Sequence, residues 1–427
     1  MEVAIYTLGC KVNQYETQAL ETELVRRGHV LVPFEGRADA FIINTCSVTA
    51  VSDKKSRNVV RRARRRCPDA VVAVCGCYVQ THAEEAQTLG ADLLMGTNDR
   101  MGFLDALERA AEQRQAPIVD IDNALKRRIF EVLPAGGMDG RTRALLKVED
   151  GCVNFCSYCI IPYARGPIRS LSLTEAVAET RRLAEEGYLE LVITGIEISS
   201  WGRDLEGKPE LIDLVEAVCA AVPDLRIRLG SLEPRTITEA FCRRAVRLPN
   251  LCPHFHLSLQ SGCDATLKRM NRKYDTERYY QSVALLKQHF DTPAITTDLI
   301  VGFPGESENE FSSTLEFIQK CAFSSMHIFP YSPRPGTPAA AMKEQVPPAL
   351  KEERAHRAAE TARAMEQTYL SQLVGRTLPV LFEQDEAGRS KGHAPNYVEV
   401  RYHEPGLHNV VRNVTVTGVE DNYLIAE

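Results

Sequence analysis

Apolar and amphipathic segments alternate along the first 125 residues of the chain. Short, continuously apolar runs predict buried strands, and the segments between them carry apolar residues at helical spacing. Leu20 and Leu24, for example, fall on one face of a helix predicted over 16–27. Strands are predicted at 3–7, 41–43 and 71–74, with a further helix at 52–66. This alternation is typical of a parallel sheet covered on both faces, so we expect an N-terminal parallel α/β domain over residues 1–125.

A second series of strands and helices follows a segment rich in proline, glycine and charge at 115–143. Strands are predicted at 144–148, 189–194, 226–230, 254–259, 294–301 and 325–331, with helical segments between most of them. Successive βα units of this kind predict a partial (βα)6 barrel similar to a TIM barrel, in a domain over 140–372. The chemistry of such barrels lies at the carboxyl ends of their strands.

The last part of the chain has a different pattern. A charged, alanine-rich helix is predicted at 349–373, and short segments of alternating pattern follow it without another helix. Residues 375–427 therefore predict a small all-β domain, which is marginally stable alone and packs against the rest of the protein.

The composition narrows the classes of protein to consider. The 427 residues are 44% hydrophobic and 25% charged and carry a net charge of −6, so any surface for nucleic acid must be local. No apolar stretch is long enough to span a membrane, and the first residues do not resemble a secretion signal. The 13 cysteines therefore favour metal or redox chemistry in a reducing, cytoplasmic compartment over a disulfide framework.

Cys152, Cys156 and Cys159 lie close together directly after the first predicted barrel strand. Their Cys-x3-Cys-x2-Cys spacing supplies three thiolates to one metal centre and, with no fourth cysteine in the segment, leaves one metal position open. A four-iron cluster held in this way can bind S-adenosylmethionine (SAM) at its open iron. The alternative is a zinc site, although zinc usually has four protein ligands.

Cys10, Cys46 and Cys77 each follow a predicted strand of the N-terminal domain. The carboxyl ends of parallel strands meet at one edge of a sheet, so these thiols can converge although they are far apart in the chain. The alternative is three unrelated buried cysteines, since free cysteine is commonly buried. Cys67 and Cys75 fit the strand-end pattern less well, and we interpret them as structural.

The helix predicted before Cys67 is strongly basic, with Asp53 as its only acid. Such a patch on a protein that is acidic overall can neutralise the phosphates of a nucleic acid, or it can be an ordinary solvated face. Its cations are Lys54, Lys55, Arg57, Arg61, Arg62, Arg64, Arg65 and Arg66.

Candidate contacts to SAM or substrate follow from position in the predicted barrel. Asp298 lies inside an apolar strand and needs a partner if it is buried, so it is either a site residue or a structural acceptor. Arg165 and Arg169 follow the cysteine loop and are candidates for binding SAM's carboxylate or an RNA phosphate. Three further candidates lie at strand ends, where they can equally serve tight turns: Gly195, Ser231 and Gln260.

Considered together, these motifs resemble the radical-SAM methylthiotransferase family over nearly the whole chain. The N-terminal cysteine motifs of that family correspond to LGCKVNQYE at 8–16, NTCSVTA at 44–50 and GCYVQ at 76–80. Its radical-SAM signature corresponds to KVEDGCVNFCSYCIIPYARGPIRS at 147–170. Later motifs correspond to GFPGE at 302–306, FPYSPRPGTPAA at 329–340 and GHAPNY at 392–397. The last motif lies in a module similar to a TRAM domain, a small β-barrel associated with RNA binding.

The resemblance implies two 4Fe–4S clusters and two uses of SAM, as methyl donor and as radical source. It assigns Cys152, Cys156 and Cys159 to the SAM-binding cluster. It assigns Cys10, Cys46 and Cys77 to an auxiliary cluster, where a sulfur is methylated before transfer. It also implies a tRNA substrate, an electron donor such as a flavodoxin or ferredoxin, and a sulfur source. His393, Asn396 and Tyr397 of the TRAM-like module are candidates for contacts with RNA, although core or turn roles fit equally well.

Two segments indicate a branch of the family. RIRLGSLEP at 226–234 and HLSLQSGCDATLKRMNRKY at 256–274 most resemble enzymes that modify carbon 2 of N6-threonylcarbamoyladenosine beside the tRNA anticodon. Other branches act on isopentenyladenosine in tRNA or on a ribosomal-protein side chain. A non-catalytic iron–sulfur RNA-binding or sensor protein is a further alternative, although a sensor needs only one cluster. Leu171 stands where the family commonly has an arginine, and the pattern offers no role for Glu197.

Overall fold

The computed structural model describes residues 1–113, 116–133, 136 and 141–427. The domain boundary predicted at residue 140 and part of the linker predicted at 115–143 lie outside the described residues. Two α/β units are followed by a closed β-barrel, which confirms the predicted fold class.

The N-terminal unit is a parallel sheet with helices on both faces. Its elements are β1 (Glu2–Thr7), α1 (Lys11–Arg26), β2 (Val30–Leu31), β3 (Ala40–Thr45), α2 (Ala50–Arg66), β4 (Val71–Gly76), α3 (Cys77–Thr81), α4 (Ala83–Gln87), β5 (Leu93–Met95), α5 (Arg100–Gln113) and β6 (Ile118–Asp120). The strand order is β2-β1-β3-β4-β5-β6. Side chains of β3 alternate between the faces, so Phe41 packs with α2 and Ile42 packs with α1 and α5. Each is fully buried, which contributes about 1.5–3 kcal/mol to stability.

The central unit is a partial barrel. Its elements are β7 (Arg143–Asp150), α6 (Ile161–Arg165), β8 (Arg169–Ser170), α7 (Leu173–Glu185), β9 (Glu190–Gly195), α8 (Leu211–Ala221), β10 (Arg226–Leu229), β11 (Ser231–Leu232), α9 (Glu239–Ala245), β12 (His254–Leu257), α10 (Asp264–Arg269), α11 (Thr276–His289), β13 (Ala294–Val301), α12 (Glu308–Cys321) and β14 (Ser325–Pro330). Two sheets, β10-β9-β7-β8 and β11-β12-β13-β14, form the wall. The strand predicted at 226–230 divides at Gly230, and its two parts join the sheets to each other.

The C-terminal unit is a closed barrel in the order β15-β16-β17-β19-β18, reached through helix α13 (Pro348–Ser371). Its strands are β15 (Thr377–Glu386), β16 (Arg389–His393), β17 (Glu399–Tyr402), β18 (Val410–Glu420) and β19 (Tyr423–Ala426). The barrel docks at the amino ends of the central strands. Arg228 of β10, for example, donates from Nη1 to Pro395 O at 2.8 Å, and Ala294 of β13 belongs to the core of the small barrel.

Helix α1 of the N-terminal unit covers the inner face of the central barrel at β7 and β9. Leu146 of β7 points outward to the surrounding helices, whereas Leu145 points inward and packs with Tyr15 and Ala19 of α1. Val192 of β9 belongs to the same contact. Because α1 begins at the carboxyl edge of its own sheet, this packing brings that edge to the mouth of the barrel.

Candidate functional site

The loop after β7 carries the first three candidate thiols. Gly151 begins the loop with a φ of +91°, and a Cβ there would lie 2.0 Å from Pro167 O, so only glycine fits. The backbone N–H of Cys152 donates to Gly166 O at 2.9 Å. The path of the loop is therefore determined by close backbone contacts with the segment that follows α6.

Burial and nearby negative charge raise the pKa of the Cys152 and Cys159 thiols. Burial raises the pKa of Cys159 to about 12, and the charges of Cys156 and Cys77 add to the shift. Arg272 donates from Nη1 to Cys156 Sγ at 3.3 Å and supplies one compensating positive charge. A bound metal centre would supply the rest, because coordination favours the thiolate form.

The second three thiols converge at the carboxyl edge of the N-terminal sheet. Cys10 precedes α1, Cys46 follows β3, and Cys77 begins α3. Gly9 has a φ of +107°, and a Cβ there would lie 2.9 Å from Cys46 Cβ and 3.0 Å from its Sγ. Burial raises the pKa of Cys77 to about 12; Arg165 opposes this, and the charges of Cys46 and Cys10 add to it. The three thiols therefore share one neighbourhood, and the glycine keeps the space beside Cys46 clear.

The two sets of thiols lie at one interface. Helix α3, which Cys77 begins, packs against α6, which follows the loop of Cys159. Thr97 Oγ1 donates to Ala164 O at 2.6 Å beside them. In the described part of the chain, neither set brings three sulfurs within 4.8 Å of one another, whereas thiolates on one zinc ion lie about 3.8 Å apart. In each set, at least two of the sulfurs are therefore farther apart than ligands on a single zinc ion.

A buried ion network lies beside the two sets. The Glu16 carboxylate of α1 binds Arg100 Nη2 at 2.6 Å and Lys147 Nζ at 3.1 Å. Arg165 binds both oxygens of the same carboxylate. Burial raises the pKa of Glu16, but the three cations outweigh burial and hold it well below 4.5. One carboxylate thus joins the N-terminal unit to β7 and α6 of the barrel.

Arg165 and Arg169 have protein partners in place of the expected SAM carboxylate or RNA phosphate. Arg165 is fully buried, and its Nη2 donates to Asn13 Oδ1 at 2.8 Å. Arg169 donates from Nη1 to Arg165 O at 2.8 Å, and its Nη2 lies 3.3 Å from Asp150 Oδ2. Both arginines hold the cysteine loop against neighbouring backbone and carboxylates. Leu171, at the position of the family arginine, is buried in the apolar core of the barrel.

Of the remaining barrel candidates, Gln260 and Asp298 are neighbours, whereas Gly195 and Ser231 lie on other strands. Gly195 ends β9, and a Cβ there would lie 2.9 Å from Glu149 O, so the close approach of two strands requires a glycine. Gln260 has a φ of +70°, and its N–H donates to Asp298 O at 2.9 Å. Ser231 is exposed at the joint between β10 and β11. The carboxylate of Asp298 lies between two imidazoles in the barrel interior.

Glu197 is a candidate that the sequence pattern missed. Its negative charge adds to the effect of burial in raising the pKa of the Cys152 thiol. Its Oε2 accepts a hydrogen bond from Ser200 Oγ. Its Oε1 is buried and has no hydrogen-bond partner among the described residues. Burial raises the pKa of Glu197. A buried carboxyl group with an unfilled acceptor is suited to bind a cationic ligand. The available signal was its place in the loop after the second barrel strand.

The cations of the basic helix α2 fall into two groups. Four of them contact their own unit: Arg57, Arg62, Arg64 and Arg66. Arg66, for example, donates from Nη1 to Phe34 O at 2.7 Å. The other four make no hydrogen bond, ion pair or cation–π contact outside the helix among the described residues and are exposed, as Arg66 also is: Lys54, Lys55, Arg61 and Arg65. The surface available to phosphates is therefore smaller than the sequence alone indicates.

His393, Asn396 and Tyr397 lie where the C-terminal barrel docks on the central strands. The Tyr397 ring lies between those of His254 and His393, with centroid distances of 5.0 and 4.8 Å. Asn396 is buried and donates from Nδ2 to Tyr369 OH at 3.1 Å. These contacts favour the core role for the three residues over contact with RNA.

Comparison with known proteins gives the family. Residues 2–96 match the family described as uncharacterized protein family UPF0004, and residues 146–318 match the radical SAM superfamily. The threonylcarbamoyladenosine tRNA methylthiotransferase MtaB of Bacillus subtilis is 41% identical over 93% of this chain and 89% of its own length. The protein of the same name from Thermotoga maritima is 37% identical over 89% and 86%. A tRNA-2-methylthio-N(6)-dimethylallyladenosine synthase from Acetivibrio thermocellus is 34% identical over 88% and 79%.

A solved structure confirms the fold. The radical S-adenosylmethionine methyltransferase TsrM from Kitasatospora setae superimposes with a TM-score of 0.59 at 15% identity, covering 85% of this chain and 89% of its own. Among the described residues, no helix combines the length and apolarity needed to cross a membrane. The full-length similarity to methylthiotransferases confirms the resemblance seen in the cysteine motifs: the chain belongs to the radical-SAM methylthiotransferase family.

Proposed function

We propose that this protein adds a methylthio group to carbon 2 of N6-threonylcarbamoyladenosine beside the anticodon of tRNA. The observation that carries the proposal is the meeting of two sets of three thiols at one interface. Methylthio transfer needs a centre that carries the sulfur to be transferred, next to a centre that generates a radical. A single cluster does not supply both. The names of the relatives from Bacillus subtilis and Thermotoga maritima support the choice of nucleoside.

The family uses SAM and two 4Fe–4S clusters. We assign the SAM-binding cluster to Cys152, Cys156 and Cys159 and the auxiliary cluster to Cys10, Cys46 and Cys77. When bound, these groups supply one-electron cleavage of SAM and a sulfur atom for transfer to carbon. The chain contributes three thiolates to each cluster and leaves one iron of each without a cysteine ligand.

Other residues near the thiols have positioning roles in this proposal. Glu197 offers its buried Oε1 to the ammonium group of SAM, which fits an acceptor without a protein partner. Arg272 stabilises the Cys156 thiolate through its 3.3 Å contact. The carboxylate of Glu16 holds the two units in register, so that the two sets of thiols stay at one interface.

The same proposal assigns the three units to domains and names their partners. Residues 1–125 form the methylthiotransferase domain, residues 140–372 the radical-SAM domain, and residues 375–427 a TRAM-like domain. The exposed cations of α2 are the proposed contacts with tRNA phosphates. The reaction also needs an electron donor, such as a flavodoxin or ferredoxin, and a sulfur source. We place it in the cytoplasm, where tRNA is modified.

Mass spectrometry of nucleosides tests the function. Bulk tRNA from cells lacking this gene should contain N6-threonylcarbamoyladenosine without its 2-methylthio derivative. A plasmid that encodes the wild-type chain should restore the derivative, and a plasmid that encodes Cys156→Ala should not. Loss of 2-methylthio-isopentenyladenosine instead would assign the protein to the branch of the family that acts on isopentenyladenosine in tRNA. Unchanged tRNA with an altered ribosomal protein would indicate a protein substrate, and no change in either would favour the non-catalytic alternative.

A further inference from the structure

Three side chains of types that commonly bind metal ions, and that the cysteine chemistry does not use, meet inside the central barrel. His256 lies on β12, Asp298 on β13 and His327 on β14, and one ligand atom from each lies within 4.8 Å of the other two. His256 Nε2 is 3.3 Å from Asp298 Oδ2, and His327 Nδ1 is 3.3 Å from Asp298 Oδ1. We propose that these residues bind one divalent first-row transition-metal ion, such as Zn²⁺, at an open site in the barrel interior.

Strand register places the three side chains on one face. Asp298 is directly opposite His327 in the parallel pairing of β13 with β14. The neighbours of His256 along β12, Phe255 and Leu257, point outward into the helix-covered core, so His256 points inward by the alternation of a strand. The cluster therefore follows from the backbone and does not depend on one flexible side chain reaching across a surface.

The two nitrogen–oxygen distances, each to a different oxygen of Asp298, are long for direct ion pairs and fit a shared metal ion. Charge-assisted hydrogen bonds between a cationic nitrogen and a carboxylate oxygen usually measure about 2.7–2.9 Å. Metal bonds of about 2.0–2.2 Å at tetrahedral angles place neighbouring ligand atoms about 3.3–3.6 Å apart. Both nitrogen–oxygen distances in the cluster are 3.3 Å, which matches the second arrangement. The two imidazole rings lie 6.2 Å apart between centroids, on either side of the carboxylate.

The surroundings of His256 also fit a metal ligand. Its Nδ1 lies 3.0 Å from Thr296 Oγ1, which leaves Nε2 to face the other two ligands. Metal-bound histidines commonly have the second ring nitrogen held by a hydrogen bond in this way. The same hydroxyl lies 3.2 Å from His254 Nε2, so it is itself fixed in place. The ring of His256 is thus oriented before any ion binds.

The ligand set indicates which ions the site takes. Two imidazoles and one carboxylate are the donors of open zinc and mononuclear ferrous sites, whereas magnesium and calcium prefer oxygen ligands throughout. His327 is 68% exposed, so the remaining coordination positions face the open interior. These positions would take water or an anionic oxygen group.

Zinc titration of the holoenzyme tests the site. Protein with both clusters reconstituted under anaerobic conditions is titrated with ZnCl2 by calorimetry, and bound zinc is counted by elemental analysis after gel filtration. We expect one zinc per chain, with an affinity that falls by more than about 10–100-fold in His327→Ala and in Asp298→Asn, because loss of a direct ligand costs more than loss of a residue that only orients one. His356→Ala, which removes an imidazole that is 79% exposed on α13, is the matched control and should bind zinc like the wild type.

Iron content is measured in every sample, because zinc in an empty cysteine centre would mimic the proposed site. With equal iron in all variants, absence of zinc from the wild type would overturn the proposal. Equal zinc affinity in His327→Ala and the wild type would overturn it as well. If Asp298→Asn does not fold, the exposed His327 still decides the question, because its removal leaves the core intact. The measurement does not use tRNA, so its outcome is independent of the proposed function.

Discussion

The carboxylate of Glu16 lies 3.1 Å from the ammonium group of Lys147, although the two residues belong to different units of the protein. Arg100 and Arg165 bind the same carboxylate, and all four side chains are buried. A network of this kind depends on every member, because a buried charge without its partner keeps its full desolvation cost. One buried acid therefore pairs with cations from both thiol-bearing units and contributes to the packing between them.

Replacement of Glu16 by Gln should destabilise the protein by up to about 3–5 kcal/mol, because the buried Arg100 loses its carboxylate partner. Lys147 and Arg165 keep Asp150 as a partner. Denaturant unfolding of the apo-protein measures this destabilisation. Glu112→Gln, an exposed change on α5 of the same unit, is the control and should leave the unfolding midpoint unchanged. A destabilisation in Glu16→Gln no larger than in the control would contradict the role given to the network.

The effect of that substitution should also depend on pH. The three cations hold the pKa of folded Glu16 well below its ordinary value of 4.5, against the effect of burial. A carboxyl group with a depressed pKa stabilises the fold fully above its unfolded pKa and loses this contribution as the pH falls toward its folded pKa. The difference in unfolding free energy between wild type and Glu16→Gln should therefore be largest near neutrality and shrink below about pH 4.5. A difference that grows on acidification would refute this assignment.

Substitutions in the two sets of cysteines should separate SAM cleavage from methylthio transfer. Cys156→Ala should abolish formation of 5′-deoxyadenosine from SAM. Cys46→Ala should retain this cleavage but form no methylthio product, and its iron content should fall from about eight to about four per chain. Cys75→Ala, a core position on β4 two residues before Cys77, is the control and should keep both activities and all iron. Full iron content in Cys46→Ala would remove the auxiliary cluster from that position.

Glu197→Gln should weaken SAM binding without loss of iron. The change removes the negative charge but keeps the shape of the side chain, so the cost is that of one charge-assisted hydrogen bond, about 10–100-fold in the KM for SAM. Kinetics of 5′-deoxyadenosine formation measure the effect. Glu206→Gln, an exposed position in the loop that follows, serves for comparison. An unchanged KM for SAM would return Glu197 to a structural role.

Charge reversal on the exposed face of α2 should weaken tRNA binding. Arg61→Glu with Arg65→Glu should lower affinity and reduce the slope of log K against log salt by roughly 0.7–0.9 for each phosphate that the helix no longer neutralises. Filter binding at several salt concentrations gives the slope. Arg109→Glu on α5, on the opposite face of the same sheet, should leave it unchanged. Equal salt slopes for the wild type, the double variant and Arg109→Glu would show that α2 is an ordinary solvated face.

Tyr397→Ala should release the C-terminal barrel from the central one. The Tyr397 ring stacks on His254 and lies under Arg228, whose guanidinium carbon is 4.6 Å from the ring centroid. Removal of a fully buried aromatic ring costs about 3–5 kcal/mol, and removal of this half-buried ring should cost somewhat less. Limited proteolysis should then cleave near residues 372–376, and mass spectrometry identifies the fragment. Tyr163→Ala, an exposed aromatic position, is the control. Weaker tRNA binding with an undisturbed junction would support the RNA-contact alternative instead.

Local sequence was sufficient to predict the fold class and the grouping of six cysteines into two sets. Apolar runs and helical periodicity predicted where the strands and helices lie along the chain, because a segment's pattern reports the face that its own element buries. The spacing of Cys152, Cys156 and Cys159 predicted a metal-binding loop, because ligands within one loop are constrained by chain length alone. The position of Cys46 at a strand end predicted that it lies near Cys10 and Cys77, since parallel strands share one carboxyl edge.

Tertiary structure alone decided which charges face one another. Arg165 has the same local context as an arginine that binds an external anion, yet it is buried against Glu16 from a helix 149 residues away in sequence. Tyr397 similarly covers the end of another unit in place of exposing its ring. No local period encodes such pairings, because they arise when α1 packs on β7 and the small barrel packs on the strand ends. The grouping of the cysteines into two sets was predictable from the sequence, whereas the docking that brings the two sets together is a property of the folded chain.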